Sequence, residues 1–189
     1  MEGRPCILVG YSMGGRIALQ YALKYQHLLK GLVLIGATPG IENESERTIR
    51  IKQDGERAST LLNESIEVFL DSWFKQELIS SQRRIAEPYR GKMQQARYAH
   101  NKDALAYYLT ALGTGSMNPA WNQLNELHIP TLLVTGEEDT KFTSIARKMV
   151  RSLPRANFET IKGSGHATCF ENPIEFAHRL ERFIEQCPS

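Results

Sequence analysis

Gly10-Tyr11-Ser12-Met13-Gly14 sets a serine in a glycine-flanked turn, and two later stretches, Gly136-Glu137-Glu138-Asp139 and Gly163-Ser164-Gly165-His166, each put a titratable side chain behind a glycine. A serine, a carboxylate and an imidazole, in that chain order, are the parts of a proton relay. The carboxylate orients the ring, the ring takes the serine's proton, and the oxygen attacks or abstracts. Ser12, Asp139 and His166 are therefore the candidate catalytic residues, with the N–H of Met13 as a donor to developing negative charge. Asp139 is preferred over its neighbours because a short side chain on the far side of the turn can orient an imidazole, whereas Glu137 and Glu138 read as solvated loop charges. His27, His100, His128 and His178 lack glycines that would aim the ring and read as surface or packing histidines.

Such a relay needs rigid elements to bring three distant segments together. Cys6 to Gly10 (CILVG) reads as a short strand, and Ser12 to Gln26 as a helix with apolar Ile17, Ala18, Tyr21, Ala22 and Tyr25. Gly31 to Gly36 (GLVLIG) is a continuous apolar run, the signature of a strand buried on both faces of a parallel sheet. From Glu42 to about Met117 the sequence turns charged and helix-favouring, with Ile66, Phe69, Leu70, Trp73 and Phe74 at helical spacing. After Pro130 come a strand at Thr131 to Thr135, a helix from about Thr143 to Leu153, a strand at Asn157 to Ile161 and a closing helix from Pro173 to Gln186. The order β-α-β, helical insertion, β-α-β-α predicts an α/β fold with residues 1–41 as the first part of the core, 42–118 as a helical lid and 119–189 as the remainder. Each candidate residue follows a strand, so all three are expected at the C-terminal edge of one sheet.

Composition narrows the partners. A chain of 189 residues, 41% hydrophobic and 23% charged, can bury one core, and a net charge of +2 is too small to argue for nucleic acid. No apolar run approaches a membrane span and the first residues are not a secretory signal, so the expected location is cytoplasmic, with no membrane partner. Cys6, Cys169 and Cys187 form neither a metal-ligand spacing nor an even disulfide framework; reduced thiols, no metal and no cofactor are expected.

Beyond these motifs, the stretches GYSMGGRIAL from Gly10, ATPGIENESER from Ala37, FLDSW from Phe69, ALGTGSMNPAW from Ala111 and GEEDTKF from Gly136 resemble the 2-succinyl-6-hydroxy-2,4-cyclohexadiene-1-carboxylate synthases of menaquinone biosynthesis. The resemblance implies an α/β-hydrolase fold, with the four strands as the C-terminal half of the family's parallel sheet. It implies a lyase in which the Ser-His-Asp set acts as a base, so that pyruvate is eliminated from 2-succinyl-5-enolpyruvyl-6-hydroxy-3-cyclohexene-1-carboxylate. It assigns Arg16, Arg50 and Arg97 to the carboxylates of a small polycarboxylate substrate and Tyr11 and Trp73 to the pocket wall, with Arg50 and Arg97 on a lid facing the serine. In the family, early strands and a loop carrying a second oxyanion donor precede the region matched here. The first strand is then expected to present an open edge, covered by the missing N-terminal half or by self-association, and the 189-residue chain alone to have little synthase activity. Two other readings compete. A generic esterase or carbon-carbon bond hydrolase would use the same triad but want apolar residues in place of the arginines; an inactive truncated fragment would use none of it.

Overall fold

The computed structural model describes residues 5–188. In chain order its elements are β1 (Cys6–Tyr11), α1 (Met13–Tyr25), β2 (Leu29–Ile35), α2 (Glu44–Asn63), α3 (Ile66–Trp73), α4 (Glu77–Ser80), α5 (Tyr89–Tyr98), α6 (Lys102–Ala111), β3 (Thr131–Gly136), α7 (Thr140–Val150), β4 (Ala156–Ile161), α8 (Thr168–Glu171) and α9 (Pro173–Gln186). They fall into two compact units, residues 1–39 with 120–189, and residues 40–119.

In the first unit the four strands make one parallel sheet in the order β1-β2-β3-β4. Successive side chains of a strand point to opposite faces, and here both faces are covered. Leu32, Leu34 and Leu133 pack with Ala18, Leu19 and Ala22 of α1 and with Ala146 and Met149 of α7. Val33, Ile35, Leu132, Val134 and Ile161 pack on the other face with Phe183 of α9. Each such side chain taken fully from water contributes roughly 1.5–3 kcal/mol, which is why the runs in β2 and β3 are unbroken by polar residues. Among the described residues β4 pairs with β3 alone and has a mixed pattern, and its Glu159 pairs with Arg179 (3.1 Å) and Arg182 (3.3 Å). Among the described residues β1 pairs with β2 alone, and its Val9 is 46% exposed.

The second unit is built of helices joined by loops, with no strand among its described residues. Ala58 and Leu61 of α2, Phe69 and Leu70 of α3 and Ala106 of α6 form its core. Asn43, Ser65 and Asn101 cap α2, α3 and α6 by accepting the N–H of Glu46, Val68 and Ala104. Lys102 donates to the Leu62 and Glu64 carbonyls at the C-terminal end of α2, where the helix dipole favours a cation.

Two element starts differ from expectation by more than one residue. The helix expected from about Thr143 begins at Thr140, because the Asp139 carboxylate already accepts the Phe142 N–H and starts the first turn there. The strand expected from Gly31 begins at Leu29, paired with Cys6.

Candidate active site

Ser12 sits between β1 and α1 with φ 51 and ψ −111. A side-chain-bearing residue in that region costs on the order of 1–3 kcal/mol and persists only where its surroundings hold it. Here the Ser12 N–H donates to the Ile35 carbonyl (2.8 Å), and the Ser12 carbonyl accepts from Arg16 N–H (3.2 Å). Close packing seals the turn. A Cβ on Gly10 would lie 2.6 Å from the Gly14 carbonyl oxygen, and one on Gly15 would lie 2.6 Å from the Ala37 Cβ. At Gly14 a Cβ would meet no described atom within 4 Å, so it is Gly15, one residue beyond the motif, whose smallness lets α1 approach Gly10 of β1 and Ala37 just after β2. Met13 opens α1, and its N–H belongs to the first turn, where no intrahelical acceptor exists.

His166 Nε2 lies 2.9 Å from Ser12 Oγ, and its Nδ1 lies 2.7 Å from Asp139 Oδ2. The expected convergence of Ser12, Asp139 and His166 is thus present as hydrogen bonds in series. His166 and Asp139 are buried, at 4% and 6% exposure. With the aspartate ionised, Nδ1 carries the proton and Nε2 is free to accept from Ser12 Oγ–H, the tautomer a base relay needs. Asp139 divides its two oxygens between tasks, Oδ2 on the imidazole and Oδ1 on the N–H of Phe142 (3.2 Å).

The ring itself is walled in. Tyr11 packs against it at 5.4 Å between centroids and Phe142 at 4.6 Å. Gly36, at φ +53, leaves room for it, since a Cβ there would come within 2.8 Å of His166 Cε1. Glu171 grips the backbone on either side, one oxygen accepting Gly165 N–H (2.8 Å) and the other Ala167 N–H (3.0 Å). Glu137 is exposed, as its sequence reading expects, and from that position also accepts Gly163 N–H (3.1 Å), tying the two loops together. Sequence reasoning missed Glu171 and Phe142; the acid's place in the short helix after the histidine was visible, but nothing in the pattern says which N–H groups it meets.

Cys169 lies in the helix that follows the histidine, and burial, aided by the nearby Glu171 charge, pushes its thiol up to about 11. The thiolate is the reactive form, so at pH 8 Cys169 is expected to alkylate far more slowly than exposed Cys6, and to speed up as pH climbs past 10. Peptide mapping after timed iodoacetamide treatment reads this; equal labelling of the two at pH 8 would contradict it.

Tyr11 and Arg16 share the first unit with the relay, Tyr11 against the ring and Arg16 one turn of α1 beyond Ser12. Arg50, Trp73 and Arg97 belong to the second unit. Arg50 Nε donates to Asp54, Trp73 stacks on Phe69 at 5.8 Å, and Arg97 donates to Gln82 Oε1 (2.7 Å) while lying over the Phe74 ring.

A strained serine between strand and helix, relayed through histidine to an acid capping a later helix, is accompanied by a match of residues 3–173 to the α/β-hydrolase fold. The chain belongs to the α/β-hydrolase family. Within that family it groups with the 2-succinyl-6-hydroxy-2,4-cyclohexadiene-1-carboxylate synthases. It is 31% identical over 177 residues to the synthase so named from Salmonella arizonae, covering 94% of this chain and 67% of that one. It is 37% identical over 177 residues to a Bacillus subtilis protein provisionally named as the same synthase, again over 94% of this chain. The chain spans 65% of the length of that relative. The structure of MenH from S. aureus superposes with a TM-score of 0.93 at 34% identity, over 96% of this chain and 68% of that one. An esterase from Thermogutta terrifontis, at 23% identity and a TM-score of 0.79, shares the α/β-hydrolase fold.

Proposed function

We propose that the protein is a lyase of menaquinone biosynthesis that eliminates pyruvate from 2-succinyl-5-enolpyruvyl-6-hydroxy-3-cyclohexene-1-carboxylate. What carries the reading is the hydrogen-bonded series Ser12–His166–Asp139, a base poised at the mouth of a helix, in a chain whose relatives at 31% to 37% identity bear the synthase name. In this reading Ser12 Oγ, its proton passed to His166 Nε2, removes a ring proton from the substrate. The electrons of that C–H bond form a ring double bond, the C–O bond to the enolpyruvyl group breaks, and the departing enolate is protonated to pyruvate. Asp139 stabilises the imidazolium that holds the proton meanwhile. The Met13 N–H is assigned to the negative charge as it develops. Arg16, Arg50 and Arg97 are assigned to the substrate's carboxylates, which guanidinium forks fit in a bidentate manner, and Tyr11 and Trp73 to its walls.

The test is a pyruvate-release assay, on the chain co-expressed with the N-terminal segment that precedes this region in its relatives, run beside hydrolysis of a neutral p-nitrophenyl ester. Pyruvate release well above ester hydrolysis supports the lyase; the reverse order would make this chain an esterase. Charge reversal separates the arginines further. Arg50→Glu is expected to lower kcat/KM on the order of 10²-fold or more, as removal of a charged hydrogen-bonding partner does. Arg47→Glu, whose wild-type Nε is engaged with the Gly115 carbonyl at 3.2 Å, should cost far less. Equal losses at the two positions would defeat the assignment of Arg50 to substrate.

A further inference from the structure

Asp54 is a carboxylate with a side chain only 1% exposed, and nothing in the proposed chemistry has yet used it. It lies on α2 one turn beyond Arg50 and just before Arg57. Arg50 Nε donates to both of its oxygens (2.9 and 2.8 Å), and Arg57 Nη1 donates to Oδ1 (3.0 Å). The backbone closes over it: a Cβ on Gly113 would fall 2.7 Å from Asp54 Oδ2.

We propose that Asp54 is a positioning residue that holds Arg50 by its Nε and so presents both Nη groups as a fork for a substrate carboxylate. The inference rests on the reading of the protein as acting on a polycarboxylate. Three observations carry it. First, the bond uses Nε alone, and no acceptor among the described residues engages the Nη groups of Arg50. A guanidinium gripped from behind at Nε retains the end-on pair of donors that matches a carboxylate, with its rotamer freedom already removed. Second, the charges do not cancel. One carboxylate between two guanidiniums leaves a net positive charge, so Arg57 balances Asp54 and Arg50 keeps its pull on an anion. Third, the burial is excessive for a pair that merely decorates a helix. Exposed pairs at this spacing contribute little, whereas a carboxylate withdrawn from water must be compensated by its partners and fixes them in place.

The experiment follows the side-chain nitrogen resonances of 15N-arginine-labelled protein during titration with succinate, a simple dicarboxylate probe, and measures kcat and KM for pyruvate release alongside. Wild-type Arg50 resonances should move with succinate. Asp54→Asn is expected to raise the succinate Kd on the order of tenfold and to raise KM more than it lowers kcat, because an amide neither charges nor clamps the guanidinium as a carboxylate does. Asp54→Glu should restore part of both, which a merely helix-stabilising role would not require. Should Asp54→Asn fail to fold, Arg57→Gln serves in its place: it leaves Asp54 to neutralise Arg50 and should weaken succinate several-fold at unchanged kcat. Wild-type-like succinate affinity and KM in folded Asp54→Asn, or in Arg57→Gln, would overturn the positioning role while leaving the polycarboxylate reading intact. If succinate leaves the wild-type Arg50 resonances unmoved, the polycarboxylate reading itself falls, and the inference with it.

Discussion

Ser12→Ala and His166→Ala are each expected to lower pyruvate release on the order of 10⁴-fold or more, and the double variant to be no worse than either single one. The two atoms lie 2.9 Å apart and act as one base, so removing either leaves the other without a role. Asp139→Asn completes the series. Asparagine can still cap α7 by accepting the Phe142 N–H, so the fold should survive. Its amide nitrogen, however, would face His166 Nδ1 and force the proton onto Nε2, which could then no longer accept from serine; a loss on the order of 10⁴-fold is expected. Steady-state pyruvate release with purified variants of matched circular dichroism, co-expressed with the N-terminal segment that precedes this region in its relatives, measures all of this. Turnover within tenfold of wild type in Ser12→Ala would show that the imidazole takes the substrate proton directly, and losses that multiply in the double variant would show that serine and histidine act independently.

The largest effect on stability is expected at Gly136→Ala. Gly136 ends β3, and a Cβ there would sit 2.1 Å from the Gly165 carbonyl oxygen and 2.2 Å from that of Ser164. No side chain can rotate away to relieve this, because both obstacles are backbone, and the backbone concerned is the loop that aims His166. The loop is itself tied down, since the Ser164 carbonyl accepts the Glu138 N–H (3.0 Å) and Glu171 holds the N–H groups of Gly165 and Ala167. Forcing a methyl group into a site already packed typically costs 1–3 kcal/mol, and a clash with backbone on this scale should reach about 3 kcal/mol or more. Urea unfolding should show an earlier midpoint, and pyruvate release should collapse in molecules that remain folded, because the histidine is displaced with its loop. A midpoint within error of wild type would mean that the two loops part more readily than their hydrogen bonds suggest.

Much of this site could be read from the chain alone, for identifiable reasons. Runs such as LVLI and TLLV announce strands buried on both faces because parallel sheets leave no side for polar residues. Ser12 and His166 announced themselves through glycines, which mark places where the backbone must turn tightly to lift a side chain to a sheet edge. Asp139 followed from chain order and reach. What stayed hidden was whatever depended on atoms meeting across the fold. The start of α7 lies earlier than the sequence indicates because the Asp139 carboxylate has two oxygens, one on the histidine and one on the Phe142 N–H. The requirement for a small residue at position 15 rather than 14 arises from the face that α1 turns to Gly10 and Ala37, which the motif spacing does not encode. Asp54, with Arg50 and Arg57 at helical spacing around it, reads in one dimension as part of a solvated charged face; only the closure of Gly113 over it shows otherwise.

Glu171 can also be viewed as a chelating agent. By gripping the N–H groups on both sides of His166, a single carboxylate closes a short ring around the residue and removes its backbone freedom when the chain folds rather than when substrate arrives. The ordering entropy of that segment is then absent from the activation barrier. In Glu171→Gln, where one oxygen is exchanged for a donor and the ring opens on one side, part of that entropy would return to the chemical step. Its mark would be a rate lowered by the same factor at every temperature: an Eyring line displaced downward in parallel, with a less favourable activation entropy and the activation enthalpy left nearly alone.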